Sequence, residues 1–396
     1  MMLCEPRPLN LKPYQAKYGR NLRRYRRAIQ KGNYDQVHQL EHLLLNSHSA
    51  KALAIAKAAD KKKYPLYPAK LEMMAGMLSC WEEPIAPAKL YFKKKPGGDL
   101  RSLFKYTVFG AAQQYLVLWV LEPRLRLHEG QYAVPGRDWA AAIEKVKEQI
   151  RKGYEWVIRG DIKNCYPSMN GDAVLDMLPG PRAVLRQVIL PPMEECITYS
   201  SHYAALLDQV RRGLPQGAAS TALVAAAVLA PVLDELPDCV VIVLYVDDFA
   251  IFAPSKDAAV ETMNTLREAL WAAPVGNLQL KFCNIHHVAE GFGFLGYHIR
   301  GDGEGGVIAR PGMTAFEKLE AQLDAVDPTL PDAHARKVAR LHSWRCRYVA
   351  WDGDEIGDNS LVAILGHHFS GDLEELVRRV HLRAKKTRDK KAAALA

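Results

Sequence analysis

The sequence has no apolar run long enough to cross a bilayer: the Ala/Val-rich stretch from Ala218 to Leu233 stops at Asp234 and Glu235, short of the ~20 residues a span needs. No apolar core of a secretory leader follows the first methionine. Cysteine is scarce and unpatterned. The seven cysteines, Cys4, Cys80, Cys165, Cys196, Cys239, Cys283 and Cys346, show no C-x-x-C spacing, which argues against a zinc site and fits reduced thiols in a cytoplasmic protein. No repeat of solenoid period is present, so the 396 residues build two or three domains, or one enzyme of several subdomains, around a large core. What stands in excess is positive charge. With 53 Lys and Arg against 44 Asp and Glu the chain carries a net +9 and a pI near 9.0, which favours an anionic partner without saying which one.

Against that basic background, two adjacent acidic residues stand out. Residues 240–253, VVIVLYVDDFAIFA, read as a strand from Val240 to Tyr245, a pair of aspartates, and an alternating strand from Phe249 to Phe252. Asp247 and Asp248 are therefore expected at a hairpin turn between buried strands. Leaving a desolvated carboxylate unpaired there costs on the order of several kcal/mol, so something cationic belongs beside them. A hard ion such as Mg²⁺ takes one or two carboxylates plus phosphate oxygens of a substrate. Taken alone, the pair reads more readily as a solvated turn, because aspartate favours turns. A matching carboxylate upstream shifts that balance: WVIRGDIKNCYPSM, 156–169, runs a short apolar strand into Asp161 and on to Tyr166. Two strands ending in aspartate can bring Asp161 and Asp247 together, and two ions ~3.5–4 Å apart on such carboxylates stabilise the attacking and leaving oxygens of phosphoryl transfer.

Four strings in order, DIKNCY at 161–166, GLPQG at 213–217, YVDD at 245–248 and FLGY at 294–297, resemble the palm motifs of reverse transcriptases. The resemblance runs from about residue 10 to 351, is densest between 156 and 299, and points to a freestanding bacterial enzyme of the group II intron-like lineage. It implies an α+β right-hand polymerase: an N-terminal helical RNA-binding extension at 1–67, fingers at 68–155, a palm of antiparallel sheet and helices at 156–300, a helical thumb at 301–384 and a basic tail at 385–396. It makes Asp161, Asp247 and Asp248 the catalytic carboxylates, which with the Ile162 carbonyl hold two Mg²⁺ ions, Mn²⁺ being the alternative. Tyr166 falls where the family carries an aromatic that blocks a ribose 2′-OH, which selects deoxynucleotides; Gln216 and Gly217 fall against the nascent base pair. One position departs from the pattern. The register of the lysine that protonates pyrophosphate falls on Asn284, with Lys281 three residues earlier, so no residue is assigned to that proton.

Basic segments flank this centre. Residues 10–32 carry Lys12, Lys17, Arg20, Arg23, Arg24, Arg26, Arg27 and Lys31 interleaved with Tyr14, Tyr18 and Tyr25. On a helix that pattern suits phosphate contacts with aromatic stacking nearby, or a solvated arm. The family's N-terminal extension grips RNA, which assigns Arg20, Arg23, Arg24 and Arg27 to nucleic acid. Residues 88–103, AKLYFKKKPGGDLRSL, read as strand, Pro-Gly-Gly turn and strand with Lys93 and Lys94 beside the tip. Lys95, Gly98 and Arg101 match the fingers pattern K-x-x-G-x-x-R, so Lys95 and Arg101 are assigned to contact with the nucleotide, whose triphosphate the tip can close over, or with the template. Gly130–Arg137 reads as a loop. FGFLGYH, 292–298, matches the primer-grip hairpin, where Gly296 admits a nucleic-acid strand. Residues 311–351 start with proline at a helix N1 and resemble a helical thumb whose RLHSWRCRYVAW segment packs as core while exposing arginines; the interleaving of Arg336, Lys337, Arg340, Arg345 and Arg347 with Trp344 and Tyr348 suits a duplex-gripping face and gives Arg340 and Arg347 that role. The tail KKTRDKK, 385–391, is expected to be disordered.

The function so implied is RNA-directed DNA polymerisation on an RNA template, with a DNA primer or product and dNTPs as partners and no membrane. Absence of a nuclease extension, of a Ser-Gln loop and of retron signatures points to a domesticated enzyme with a dedicated non-coding RNA in phage defence. Two rivals stand beside it: an RNA-dependent RNA polymerase, opposed by Tyr166 and by YVDD, and a maturase-like RNA-binding protein with a vestigial site, opposed by the intact carboxylates.

Overall fold

Helices dominate the first 80 residues because the apolar positions recur at helical spacing and each turn carries its own punctuation. In the computed structural model, which describes residues 9–81, 88–94, 98, 100–190, 197–198, 210, 213–351 and 359–395, α1 (Lys12–Gln30) is followed by α2 (Tyr34–Asn46), α3 (His48–Lys61) and α4 (Pro68–Met77). Asn33 caps α2 by accepting the Gln36 amide, and Pro68 opens α4, where its missing N–H costs nothing. The hairpin β1 (Lys89–Lys94) and β2 (Leu100–Lys105) then leads into α5 (Val108–Leu121), whose cap is Thr107. Beyond it lie α6 (Trp139–Arg151), β3 (Trp156–Ile162), α7 (Cys165–Ser168), α8 (Gly171–Met177), α9 (Arg182–Ile189), the two-residue β4 (Ile197–Thr198) and α10 (Thr221–Asp234). The last part holds β5 (Val241–Tyr245), β6 (Asp248–Ala253), α11 (Lys256–Trp271), β7 (Leu280–His287), β8 (Phe292–Phe294), β9 (Tyr297–Gly301) and β10 (Val307–Pro311), then α12 (Met313–Asp324), α13 (Ala333–Arg347), α14 (Asn359–His368) and α15 (Leu373–Leu395). Among the described residues no helix is long and apolar enough to cross a membrane, and Cys80, Cys165, Cys239, Cys283 and Cys346 form no disulfide.

The chain divides into two units that interleave along the sequence: residues 1–128, 163–232 and 269–279 form one, and 129–162, 233–268 and 280–396 the other. In the first, α1 to α5 bury Tyr25, Leu40, Leu44, Ile55 and Leu116, and the β1–β2 hairpin pairs Lys89 with Lys105 and Lys93 with Arg101. The second is built on a four-stranded antiparallel sheet in the order β5-β6-β3-β7. Along β3, period-two alternation puts Val157, Arg159 and Asp161 on one face. Its apolar end meets α6, β8 to β10 and the helices α12 to α15 in one core that includes Phe252, Phe292, Tyr297, Phe316, Trp344 and Leu365. Each such side chain removed from water contributes about 1.5–3 kcal/mol.

Five expectations from sequence change here. Asp248 is not in the turn: β6 begins with it, and the two-residue loop is Val246-Asp247, with positive φ at Val246 alone, the pattern of a II′ turn. Tyr25 does not stack outward; it is buried and its hydroxyl donates to Glu41 (3.0 Å) or to the Val120 carbonyl (3.0 Å), while Tyr18 packs on Trp119. Pro311 closes β10 as its last residue, and Gly312 is the N-cap of α12. Arg345, expected among the exposed arginines of a segment that packs as core, is itself buried beside Trp344 and Tyr348. The tail at 385–391 continues α15, because Leu376, Val377, Val380 and Ala384 anchor the helix and the residues that follow are good helix formers.

Candidate active site

The inner face of the sheet is apolar for most of its width and ends in charge. Asp161 on β3 lies directly opposite Asp248 on β6, and Tyr245 on β5 stands across from Asp248 in turn. The next pair inward is Arg159 opposite Ala250. The turn residue Asp247 is tied to the same strand end, since its carbonyl accepts the Ile162 amide at 2.9 Å. Phe249 explains why glycine stands at 160: a Cβ there would overlap the Phe249 ring.

Burial, with the Asp161 charge adding to it, raises the Asp248 carboxyl to about 6 against the opposing pull of Arg159 and of the Leu295 amide. The Arg159 guanidinium forms an ion pair with Asp248 Oδ1, and Leu295 N–H reaches Asp248 Oδ2 at 3.4 Å. Leu295 and Gly296 form the β8–β9 turn, both with positive φ, as a I′ turn requires. Around that turn the Gly312 amide donates to the Gly296 carbonyl (2.9 Å), and Arg347 donates to the Leu295 carbonyl (3.3 Å) while its guanidinium stacks 4.7 Å over Trp139. A cavity of about 380 Å³ opens here, lined by Arg159, Asp248, Leu295, Gly296, His298 and Arg310. Gly296, Arg347 and Asp248 therefore meet at one turn. Arg340 sits half-buried on α13, two helical turns before Arg347.

In the first unit the GLPQG loop is threaded between α7 and β2. The Leu214 amide donates to the Tyr166 carbonyl (2.9 Å), and the Phe104 amide to the Gln216 carbonyl (2.7 Å). A Cβ on Gly213 would fall 2.5 Å from Pro167 backbone and one on Gly217 2.6 Å from the Phe104 carbonyl, so both glycines are demanded by close approach. Tyr166, Gln216 and Gly217 are thus gathered together. Arg101 is exposed and faces Lys93 across the hairpin; Lys95 lies outside the described residues. Arg20, Arg23, Arg24 and Arg27 are exposed along α1.

The donors suit a hard divalent cation. Among the described residues no three His, Cys, Asp or Glu side chains close a metal cage by themselves, whereas Mg²⁺ is commonly held by one or two carboxylates with substrate phosphates completing the shell. Asp161, with the Ile162 carbonyl next in the strand and the Asp247 turn tied to the same strand end, belongs to an oxygen-rich edge of that kind, while Asp248 opposite is engaged by Arg159 and the Leu295 amide. Sequence reasoning overlooked Arg159. The signal was a lone cation in the apolar run WVIRGDI, two residues before the aspartate and hence on its face.

Compared with protein families, residues 93–299 match the model for reverse transcriptase (RNA-dependent DNA polymerase). The match spans more than half of the chain and contains Asp161, Tyr166, Gln216, Asp247, Asp248 and Gly296. No curated protein matches the sequence.

Proposed function

The chain belongs to the reverse transcriptase (RNA-dependent DNA polymerase) family, nucleotidyltransferases that act on an RNA template, a primer and dNTPs, and from that premise we propose that Asp161, Asp247 and Asp248 form its polymerising centre. The single observation that supports this most is the Asp161–Asp248 pair at the end of an otherwise apolar sheet face, next to the Val246-Asp247 turn. Arg159 already meets Asp248, and carboxylates grouped in this way are the usual partners of a divalent cation that also takes substrate phosphate oxygens. Two Mg²⁺ ions, when bound, would supply the charge neutralisation that an in-line attack on an α-phosphate needs. Asp161 and Asp247, with the Ile162 carbonyl, hold that charge. Asp248, engaged by Arg159 and Leu295, fixes the geometry. Tyr166 closes the sugar pocket against a 2′-hydroxyl, Gln216 and Gly217 bear on the base pair, and Lys95 and Arg101 receive the triphosphate. The β8–β9 turn with Gly296 receives the primer end, and Arg340 and Arg347 lie along the duplex.

The layout we favour is an RNA-binding extension at 1–67, fingers at 68–155, palm at 156–300 and helical thumb at 301–384, in a cytoplasmic enzyme of group II intron-like ancestry. Its template on this reading is a dedicated non-coding RNA used in phage defence. The LPQG loop at 214–217, which lacks the Ser-Gln of diversity-generating enzymes, supports that setting.

Primer extension on poly(rA)/oligo(dT) with dTTP and Mg²⁺ tests the centre. Asp247→Asn should lower incorporation by at least about 10³-fold, equivalent to roughly 4 kcal/mol of transition-state stabilisation, with RNA affinity unchanged. Incorporation retained by that variant refutes the assignment, and equal use of dTTP and UTP by the wild type refutes the role of Tyr166.

A further inference from the structure

We propose that Arg159 is a positioning residue for polymerisation: it locks the Asp248 carboxylate in place and ties the catalytic strands to the β8–β9 turn. The proposal rests on the reading of Asp248 as part of the polymerising centre. Arg159 is only 8% exposed, so its charge has to be satisfied by protein groups. Its guanidinium does so on three strands at once. Nη1 donates to the Gly160 carbonyl (2.6 Å) on its own strand β3 and to the Phe249 carbonyl (2.8 Å) on β6. Nε donates to the Gly293 carbonyl on β8, and Nη2 pairs with Asp248 Oδ1. Phe282 and Phe294 hold the plane, with the guanidinium carbon 5.5 and 5.1 Å from their ring centres.

The consequence is geometric. With Oδ1 in an ion pair with Arg159, and with no other hydrogen bond among the described residues, and Oδ2 at the Leu295 amide (3.4 Å), both oxygens of Asp248 are held, and both anchors report to the same hairpin. Gly293 and Leu295 flank Phe294 immediately before Gly296. A displacement of that turn therefore moves Asp248, and a displacement of Asp248 moves the turn. Only a planar fork of five donors can make these bonds together; a lysine ammonium in the same place reaches one or two of them. Arg159 touches neither primer nor nucleotide on this account, and acts through Asp248 and the turn.

A double-mutant cycle separates this role from simple support of the fold. Wild type, Arg159→Met, Asp248→Asn and the double variant are compared by single-nucleotide incorporation on poly(rA)/oligo(dT), with kcat and the dTTP KM measured separately. Arg159→Met should lower kcat about 10- to 100-fold with KM changed less than about 3-fold, and should lower it by no more than about 3-fold in the Asp248→Asn background. Arg159→Lys should fall between wild type and Arg159→Met, and replaces it in the cycle should Arg159→Met fail to fold. Effects of the two substitutions that multiply, or a loss in Arg159→Met confined to KM, overturn the proposal. Full activity in Asp248→Asn refutes the role of Asp248 in the centre; if Arg159→Met still loses kcat in that case, Arg159 does not act through Asp248 and the proposal falls with it.

Discussion

Arginines and lysines do different work in the two units. Along α1 of the first unit, Arg20, Arg23, Arg24 and Arg27 all stand in solvent, while the inner positions of that helix are Tyr25 and Ala28. In the second unit three cations among the described residues are buried and consumed by the protein itself. Arg159 binds carbonyls of three strands and Asp248. Arg345, 2% exposed, donates to the Tyr348 carbonyl, meets His381 Nδ1 at 2.6 Å and lies 5.6 Å over Trp351. Lys147, 1% exposed, donates to Glu144 (3.1 Å) and to the Ala350 carbonyl (3.3 Å). The net charge of +9 is therefore a poor measure of the surface offered to nucleic acid, because part of it is internal bracing.

The sharpest way to break this contrast is to remove a buried cation. Arg345→Met keeps the length and apolar stem but removes the charged donor from the Tyr348 carbonyl, which keeps only the Trp351 amide (3.1 Å), and takes the guanidinium away from His381. The expected loss is about 2–4 kcal/mol of stability, read as a lower denaturant midpoint, and any decline in RNA affinity should track the unfolded fraction. A variant as stable as the parent that binds RNA more weakly would return Arg345 to the surface role its sequence context suggested.

That contrast also explains what was legible beforehand. Asp161, Asp247 and Asp248 stood out because an apolar strand that ends in carboxylate is rare and its period-two pattern fixes the face. The GLPQG loop was legible for a similar reason, since two glycines within five residues announce close backbone approach, here to Pro167 and Phe104. Arg159 was not. Its partner Gly293 lies 134 residues away, and nothing local distinguishes an arginine that faces a carbonyl from one that faces water. The same blindness let Tyr25 pass for a stacking platform when Glu41 and Val120, far along the chain, had claimed its hydroxyl. Asp248 is read into the turn because adjacent aspartates favour one, and Val246 gives no turn signal because a β-branched residue at positive φ is disfavoured. The tail was misjudged because charge density was weighed and the anchoring positions Leu376, Val380 and Ala384 were not.

The exposed side of the comparison predicts a middle-sized effect of the opposite kind. Arg24→Gln with Arg27→Gln should leave the melting temperature unchanged and weaken binding of a fluorescent single-stranded RNA about 10-fold near physiological salt. The slope of log Kd against log salt should fall by about 0.7 for each phosphate that is no longer neutralised. An unchanged slope would mean that these arginines are only a solvated face.

The smallest effect tests whether the first unit carries cations at a cost to its own stability. Lys105 faces Lys89 across the β1–β2 hairpin, and burial together with the Lys105 charge lowers the Lys62 ammonium from its ordinary pKa. Like charges directly opposite on a hairpin are unfavourable by a few tenths of a kcal/mol, much of it screened at exposed positions. Lys105→Gln should therefore raise the melting temperature slightly at pH 7. The sign with pH follows from the direction of the shift. A lysine whose folded pKa is lowered penalises the native state while it is charged, and that penalty fades as pH rises through the folded pKa, so the gain from Lys105→Gln should shrink in alkaline buffer. It should also shrink in 1 M salt, where the screening length is about 3 Å. If the variant gains stability equally at all salt concentrations, the gain comes from packing or strand propensity, and the repulsion on this face does not limit the stability of the hairpin.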